Sequence, residues 1–140
     1  MINTFRGKYL FLSNFFIRRI YYKDHWYDSS EHAFQAQKAM NEKDRLYIAS
    51  AGHPAEAKKR GKEIECRPDW DDVRVRIMAD IVYQKFVQHA DLKDMLLATG
   101  DQELIEGNWW RDDFWGVYNG KGLNWLGEIL MEVRSVMSCG

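Results

Sequence analysis

The chain has 140 residues, the size of one ordinary domain, and with 46% hydrophobic and 14% aromatic residues it can bury a core of its own. Its net charge of −1 supplies no overall field toward nucleic acid or an anionic membrane, and no apolar run approaches the roughly 18 residues that cross a bilayer. Cys66 and Cys139 stand far apart, with no second cysteine or histidine at ligand spacing, so neither a disulfide framework nor a structural zinc site is expected.

Met1 to Arg6 lack the charged-then-apolar layout of a signal peptide, and a soluble, cytoplasmic protein is expected. Residues 3–27 are rich in aromatic and β-branched side chains, among them Phe5, Tyr9, Phe11, Ile17, Ile20 and Trp26. Two to four short strands are predicted there, with a hairpin turn at Lys23-Asp24-His25. Arg6 and Gly7 lie among these aromatics. Ser13-Asn14 separates two apolar runs, and Asn14 either satisfies a turn or points into a pocket.

Residues 28–40 read as the start of a helix capped by Asp28 or Ser29. On it Glu31, Gln35 and Lys38 fall at i, i+4 and i+7, in one polar row. Asp28 and Glu31 have the spacing of a capping box, which would explain the glutamate locally. The other reading is a pocket wall, where a carboxylate beside aromatic rings can transfer protons near neutrality. Lys38 reads either as an exposed or ion-paired lysine, or as an amine in a pocket. There it would bind phosphate or, once desolvated, attack a sugar aldehyde. His32 lies about 100° around the helix from Glu31, in a supporting position.

Further helices are predicted over residues 43–50, 54–63 (with Pro54 at its first position) and 70–89, the last burying Val73, Ile77, Ile81 and Phe86. Asp91 is expected to cap another that Gly100 ends. The basic run Lys58-Lys59-Arg60 with Lys62 reads as a solvated face, or as a local patch for a short modified nucleic-acid strand. Leu104-Ile105 suits a short strand. Residues 107–122 have no helical period and form a loop with Trp109, Trp110, Arg111, Asp112, Asp113, Phe114 and Trp115. Indoles stack on planar bases, and Asp accepts hydrogen bonds from ribose hydroxyls; the bland alternative is a loop that plugs the core. Glycines around Lys121 precede a helix, where backbone N–H groups can face an anion or simply form a turn and cap. That helix is predicted from near Leu123, with Leu123, Leu126, Leu130, Val133 and Met137 on one stripe. The expected fold is α+β: a mostly helical single domain over residues 1–140, with a small N-terminal antiparallel β element.

Taken together, Phe11-Leu12-Ser13-Asn14-Phe15, Ser30-Glu31-His32-Ala33-Phe34-Gln35-Ala36-Gln37-Lys38, Asp112 to Gly116 and Gly122-Leu123-Asn124 resemble the NADAR family, the YbiA-like N-glycosidases, in order and spacing over nearly the whole chain. The resemblance implies hydrolysis of an N-glycosidic bond at the anomeric carbon of a phosphorylated ribose. Substrates in the family are early riboflavin-pathway intermediates, in which ribose 5-phosphate is joined to an aminopyrimidine, or ADP-ribose on guanine of nucleic acid. Position by position, the family's acid falls on Glu31, its pocket lysine on Lys38, its loop aspartate on Asp112 and its tryptophan on Trp115. The expectation is that Glu31 and Asp112 bracket the anomeric carbon and that Trp115 or Trp109 stacks the base. Lys38 binds or forms a Schiff base, and Arg6, Lys121 and the backbone near Gly122 hold phosphate. Gly7, Asn14, Gln35 and Asn124 complete the expected substrate-binding set, with no metal and no cofactor. A non-catalytic reader of ADP-ribose is the competing expectation.

Overall fold

The computed structural model describes residues 1–139. The chain forms two compact units, one spanning Asn14–Gln88 and the other combining Met1–Ser13 with the chain from His89 onward.

The first of these opens with an antiparallel hairpin, β1 (Ile17–Tyr22) and β2 (His25–Ser29). Tyr22 pairs with His25, Tyr21 with Trp26 and Ile20 with Tyr27; an irregularity between Ile17 and Ile20 then shifts the register, so that Ile17 pairs with Ser29. The turn residues Lys23 and Asp24 both have positive φ, 47° and 72°, as a two-residue turn matching the strand twist requires. Ile20, Tyr22 and Tyr27 face inward and are buried. The expected hairpin is therefore present, but Tyr9 and Phe11 are not in strands: Gly7–Leu12 is a 3-10 helix of the other unit.

Chain direction then turns into α1 (Ser30–Ala36), all seven residues of which are buried. It is surrounded by β1, β2 and three helices: α2 (Glu42–Ala49), α3 (Pro54–Gly61) and α4 (Trp70–Gln88). Asn41 caps α2 by accepting from Asp44 N. His53 caps α3, with Pro54 at its first position where a missing N–H costs nothing. The long helix α4 buries Ile77, Ile81 and Phe86 as the periodicity predicts, together with Met78 and Val82, whereas Val73, expected on the same stripe, is only half-buried because it lies in the first turn of the helix.

In the other unit, Ile2 forms a parallel bridge with Leu104, Ile2 N donating to Glu103 O and Ile105 N to Ile2 O. Here α5 (Ala90–Ala98) packs on α6 (Trp125–Ser138). His89, not Asp91, is the residue preceding α5, and it makes no side-chain cap; Asp91 lies in the first turn. Gly100, at φ 67°, supplies the left-handed residue after the helix. Two-residue strands β3 (Gly107–Asn108) and β4 (Val117–Tyr118) pair in parallel and pin the base of the aromatic loop. The final helix starts at Trp125, so Leu123 lies outside it and is exposed, while Leu126, Leu130, Val133 and Met137 are buried as expected. No helix among the described residues is long and apolar enough to cross a membrane.

Candidate active site

The start of α1 is fixed from several sides. Ser29, not Asp28, is the cap: its hydroxyl oxygen accepts from His32 N at 3.1 Å. Asp28 instead lies 3.7 Å from Arg19. Glu31 is consequently in the second helical position, so the capping-box explanation of Glu31 fails. Its own backbone N–H donates to Asn14 O at 3.0 Å. Asn14 Oδ1 accepts from Ser30 Oγ at 2.9 Å, and Asn14 Nδ2 donates to Met78 Sδ at 3.4 Å, so this side chain holds the helix entrance. His32 is fully buried. Its Nε2 lies 2.8 Å from Ala51 O, to which it donates, and its Nδ1 lies 2.7 Å from the Ser29 hydroxyl. His32 is a brace between α1 and the segment after α2.

On this base stands Glu31, 8% exposed. Gln35 Nε2 donates to Glu31 Oε2 across one helical turn, at 2.9 Å. A single helical row does not extend to Lys38, because α1 ends at Ala36 and Lys38 follows in a turn closed by Lys38 N donating to Gln35 O at 3.1 Å. A second tether comes from Arg67 N, which donates to Lys38 O at 2.9 Å beside the bridge between Ala39 and Cys66. The lysine still belongs to the group. Burial pushes its amine below the usual lysine range, Cys66 and Glu31 oppose that shift, and Lys62 and Lys58 add to it. Lys38 Nζ lies 5.9 Å from the centroid of Trp70, which in turn packs on Phe34 at 4.9 Å.

The other expected residues lie in the other unit. Asp112 is half-buried, and its Oδ1 accepts from Phe114 N at 3.1 Å and Trp115 N at 2.9 Å, while Asn108 Oδ1 accepts from Asp112 N. These bonds shape the loop and set Trp115 edge-to-face against Phe114 at 4.8 Å. Asn124, in the left-handed region at φ 53°, commits both ends of its amide to the backbone: Oδ1 accepts from Glu106 N and Nδ2 donates to Leu104 O, each at 3.0 Å. The backbone near Gly122 is not an anion nest. Leu123, Asn124, Trp125 and Leu126 donate their N–H groups to the carbonyls of Asp113, Gly116, Phe114 and Trp115. Lys121 is exposed in a tight turn closed by reciprocal bonds with Tyr118. Gly7, at φ 59°, starts the 3-10 helix in the left-handed region. Trp109 is 63% exposed, and the Arg6 guanidinium lies 4.2 Å from its ring centroid, an arrangement suited to stacking a planar base.

Three residues of interest escaped the sequence reading. Trp70 sits at the first position of α4, where its ring under Lys38 has no local signal. Gly61 lies against Gln35, a tertiary contact invisible in one dimension. Lys85, only 4% exposed, carries a signal in its spacing, since it falls on the stripe of Met78, Ile81 and Val82. Burial, with Arg18 adding to it, lowers its amine to about 7.

The NADAR domain family model matches residues 3–138. The N-glycosidase Npun_R5314 of Nostoc punctiforme is 42% identical over 128 residues, 87% of this chain and 81% of that protein. The N-glycosidase YbiA of Escherichia coli is 39% identical over 79% of this chain and 70% of its own length. A riboflavin biosynthesis protein of Vibrio vulnificus is 42% identical over 89% of this chain, which corresponds to 34% of that longer protein. The solved structure of Escherichia coli YbiA superposes with a TM-score of 0.86 at 34% identity, covering 99% of this chain and 88% of the other.

Proposed function

Because the chain belongs to the NADAR family, we propose that residues 1–140 work as one N-glycosidase domain, with Glu31 as the group that moves the proton. The reaction is hydrolysis of the bond between a phosphorylated ribose and a nitrogen base. The observation that carries this reading is the buried Glu31 carboxylate, held by Gln35 at 2.9 Å and within electrostatic reach of the desolvated Lys38. The relatives named N-glycosidase support the reaction class. The relative named for riboflavin biosynthesis supports a ribosylaminopyrimidine phosphate as the substrate.

Hydrolysis breaks the C1–N bond and forms a C1–O bond to water. As positive charge develops at C1, the Glu31 carboxylate stabilises it and takes a proton from the attacking water. The same proton then passes to the nitrogen of the departing base, which leaves neutral. Lys38 has two forms to offer: the ammonium neutralises a phosphate or sugar oxygen, and the amine, favoured by burial, adds to the C1 aldehyde of the released, ring-opened sugar and expels its oxygen as water, giving a Schiff base that water hydrolyses back to amine and sugar. Asp112 Oδ1 accepts from the loop amides of Phe114 and Trp115, which orients that carboxylate.

The test is a side-by-side assay of base release from a ribosylaminopyrimidine phosphate and from an oligonucleotide carrying ADP-ribose on guanine. Release from the first, at the higher rate, is expected. Calorimetric binding of ADP-ribose with no release from either substrate would overturn the enzyme reading and leave a nucleotide-binding module.

A further inference from the structure

We infer that Gly61, at the end of α3, is a positioning residue for the Glu31 carboxylate and acts through Gln35. The inference rests on Glu31 being the proton-transferring group.

Gln35 is 5% exposed, and its two amide ends have unequal surroundings. Nε2 donates to Glu31 Oε2. Oε1 is buried and has no hydrogen-bond partner among the described residues. An unserved buried acceptor is unfavourable, so the amide is not where it is for the sake of Oε1. It is held there by shape. Gly61 is the surface against which it lies: a Cβ on residue 61 would collide with Gln35 Oε1, come within 3.0 Å of Cδ and 3.4 Å of Cβ. The whole side chain of Gln35 thus runs along the bare Cα of Gly61.

Backbone conformation does not explain this glycine. Gly61 is not among the residues with positive φ, and it is the last residue of a regular helix. Alanine is intrinsically the better helix former there. What alanine removes is the space that Gln35 fills. The sharpest contact is with the amide end of Gln35, so a methyl group at position 61 displaces that end, and with it the Nε2 that serves Glu31. α3 thereby sets the aim of a carboxylate on α1, and a methyl group at position 61 is felt at the reacting bond.

The experiment compares wild type, Gly61→Ala, Gln35→Ala, Gly61→Ala with Gln35→Ala, and Glu31→Gln. Initial rates on a ribosylaminopyrimidine phosphate are measured from pH 5 to 9, with circular dichroism and melting of each protein. Gly61→Ala is expected to lower kcat about ten- to a hundred-fold, the range for a misplaced catalytic group, with KM within about twofold and an altered pH profile. The double variant is expected to match Gln35→Ala, because the new methyl enters space that the amide has left. Wild-type kcat and pH profile in Gly61→Ala, or a double variant well below Gln35→Ala, would overturn the inference. Should Gly61→Ala fail to fold, the double variant against Gln35→Ala decides alone. Wild-type turnover in Glu31→Gln would instead sink the functional reading, a distinct result.

Discussion

A carboxylate that accepts a hydrogen bond from its own helix, with a desolvated amine in the turn that follows that helix, has restricted freedom and a nearby charge partner. Glu31 has both the bond from Gln35 and the electrostatic link to Lys38. If Lys38 forms a Schiff base, borohydride added during turnover reduces it to a stable adduct, and mass spectrometry places the sugar mass on Lys38. A substrate-treated protein without that mass assigns Lys38 to binding alone. His32 makes a different prediction. Removing its ring takes the partner from Ala51 O and one of two partners from the Ser29 hydroxyl, which keeps the backbone N–H of residue 32, in a buried site. His32→Ala should therefore destabilise by about 2–4 kcal/mol in urea denaturation, combining the cavity and the lost hydrogen bonds. At this scale the sequence was informative where chemistry is local. Glu31, Gln35 and Lys38 were legible as a polar group against aromatics. Gln35's contact with Gly61 was not, because it joins two helices 26 positions apart by sequence number.

At the scale of elements, two sequence choices run against local preference and each has a measurable consequence. The β1–β2 turn places Lys23 and Asp24 in the left-handed region, at φ 47° and 72°. Asn and Gly adopt that region at much lower cost. Replacing the pair by Asn-Gly should stabilise by about 1 kcal/mol, read as a raised denaturation midpoint with an unchanged slope. On α4, Lys85 occupies a core position with its amine lowered to about 7. Unfolded, that lysine titrates near 10.4. Between those values the unfolded chain binds a proton that the folded chain does not, so this residue makes stability rise with pH, by up to about 1.4 kcal/mol per unit, and the penalty is complete below 7. Lys85→Met should consequently gain most over wild type at pH 6 and progressively less toward pH 10 in paired urea melts. The same contrast explains which elements could be read in advance. The stripes of α4 and α6 repeat at 3.6 residues and were legible. The aromatics of the Gly7–Leu12 3-10 helix carry no period that distinguishes it from a strand. Leu123 matches the apolar spacing of α6 yet lies in the irregular segment before it.

Across the whole molecule, the chain's near-zero net charge and its family bear on substrate choice. A free phosphorylated ribosyl compound needs only local cations, whereas nucleic acid draws much of its affinity from counterion release. Turnover of a ribosylaminopyrimidine phosphate, measured as kcat/KM, should therefore change little between about 50 and 200 mM salt. A steep fall would point to a polyanionic substrate. The central claim is narrower: Glu31 moves the proton. Its most direct measurement is single-turnover release of the base from a ribosylaminopyrimidine phosphate by Glu31→Gln, an isosteric change, beside wild type. The account predicts a rate lower by about a hundred-fold or more with an unchanged melting temperature. Release at the wild-type rate would contradict it.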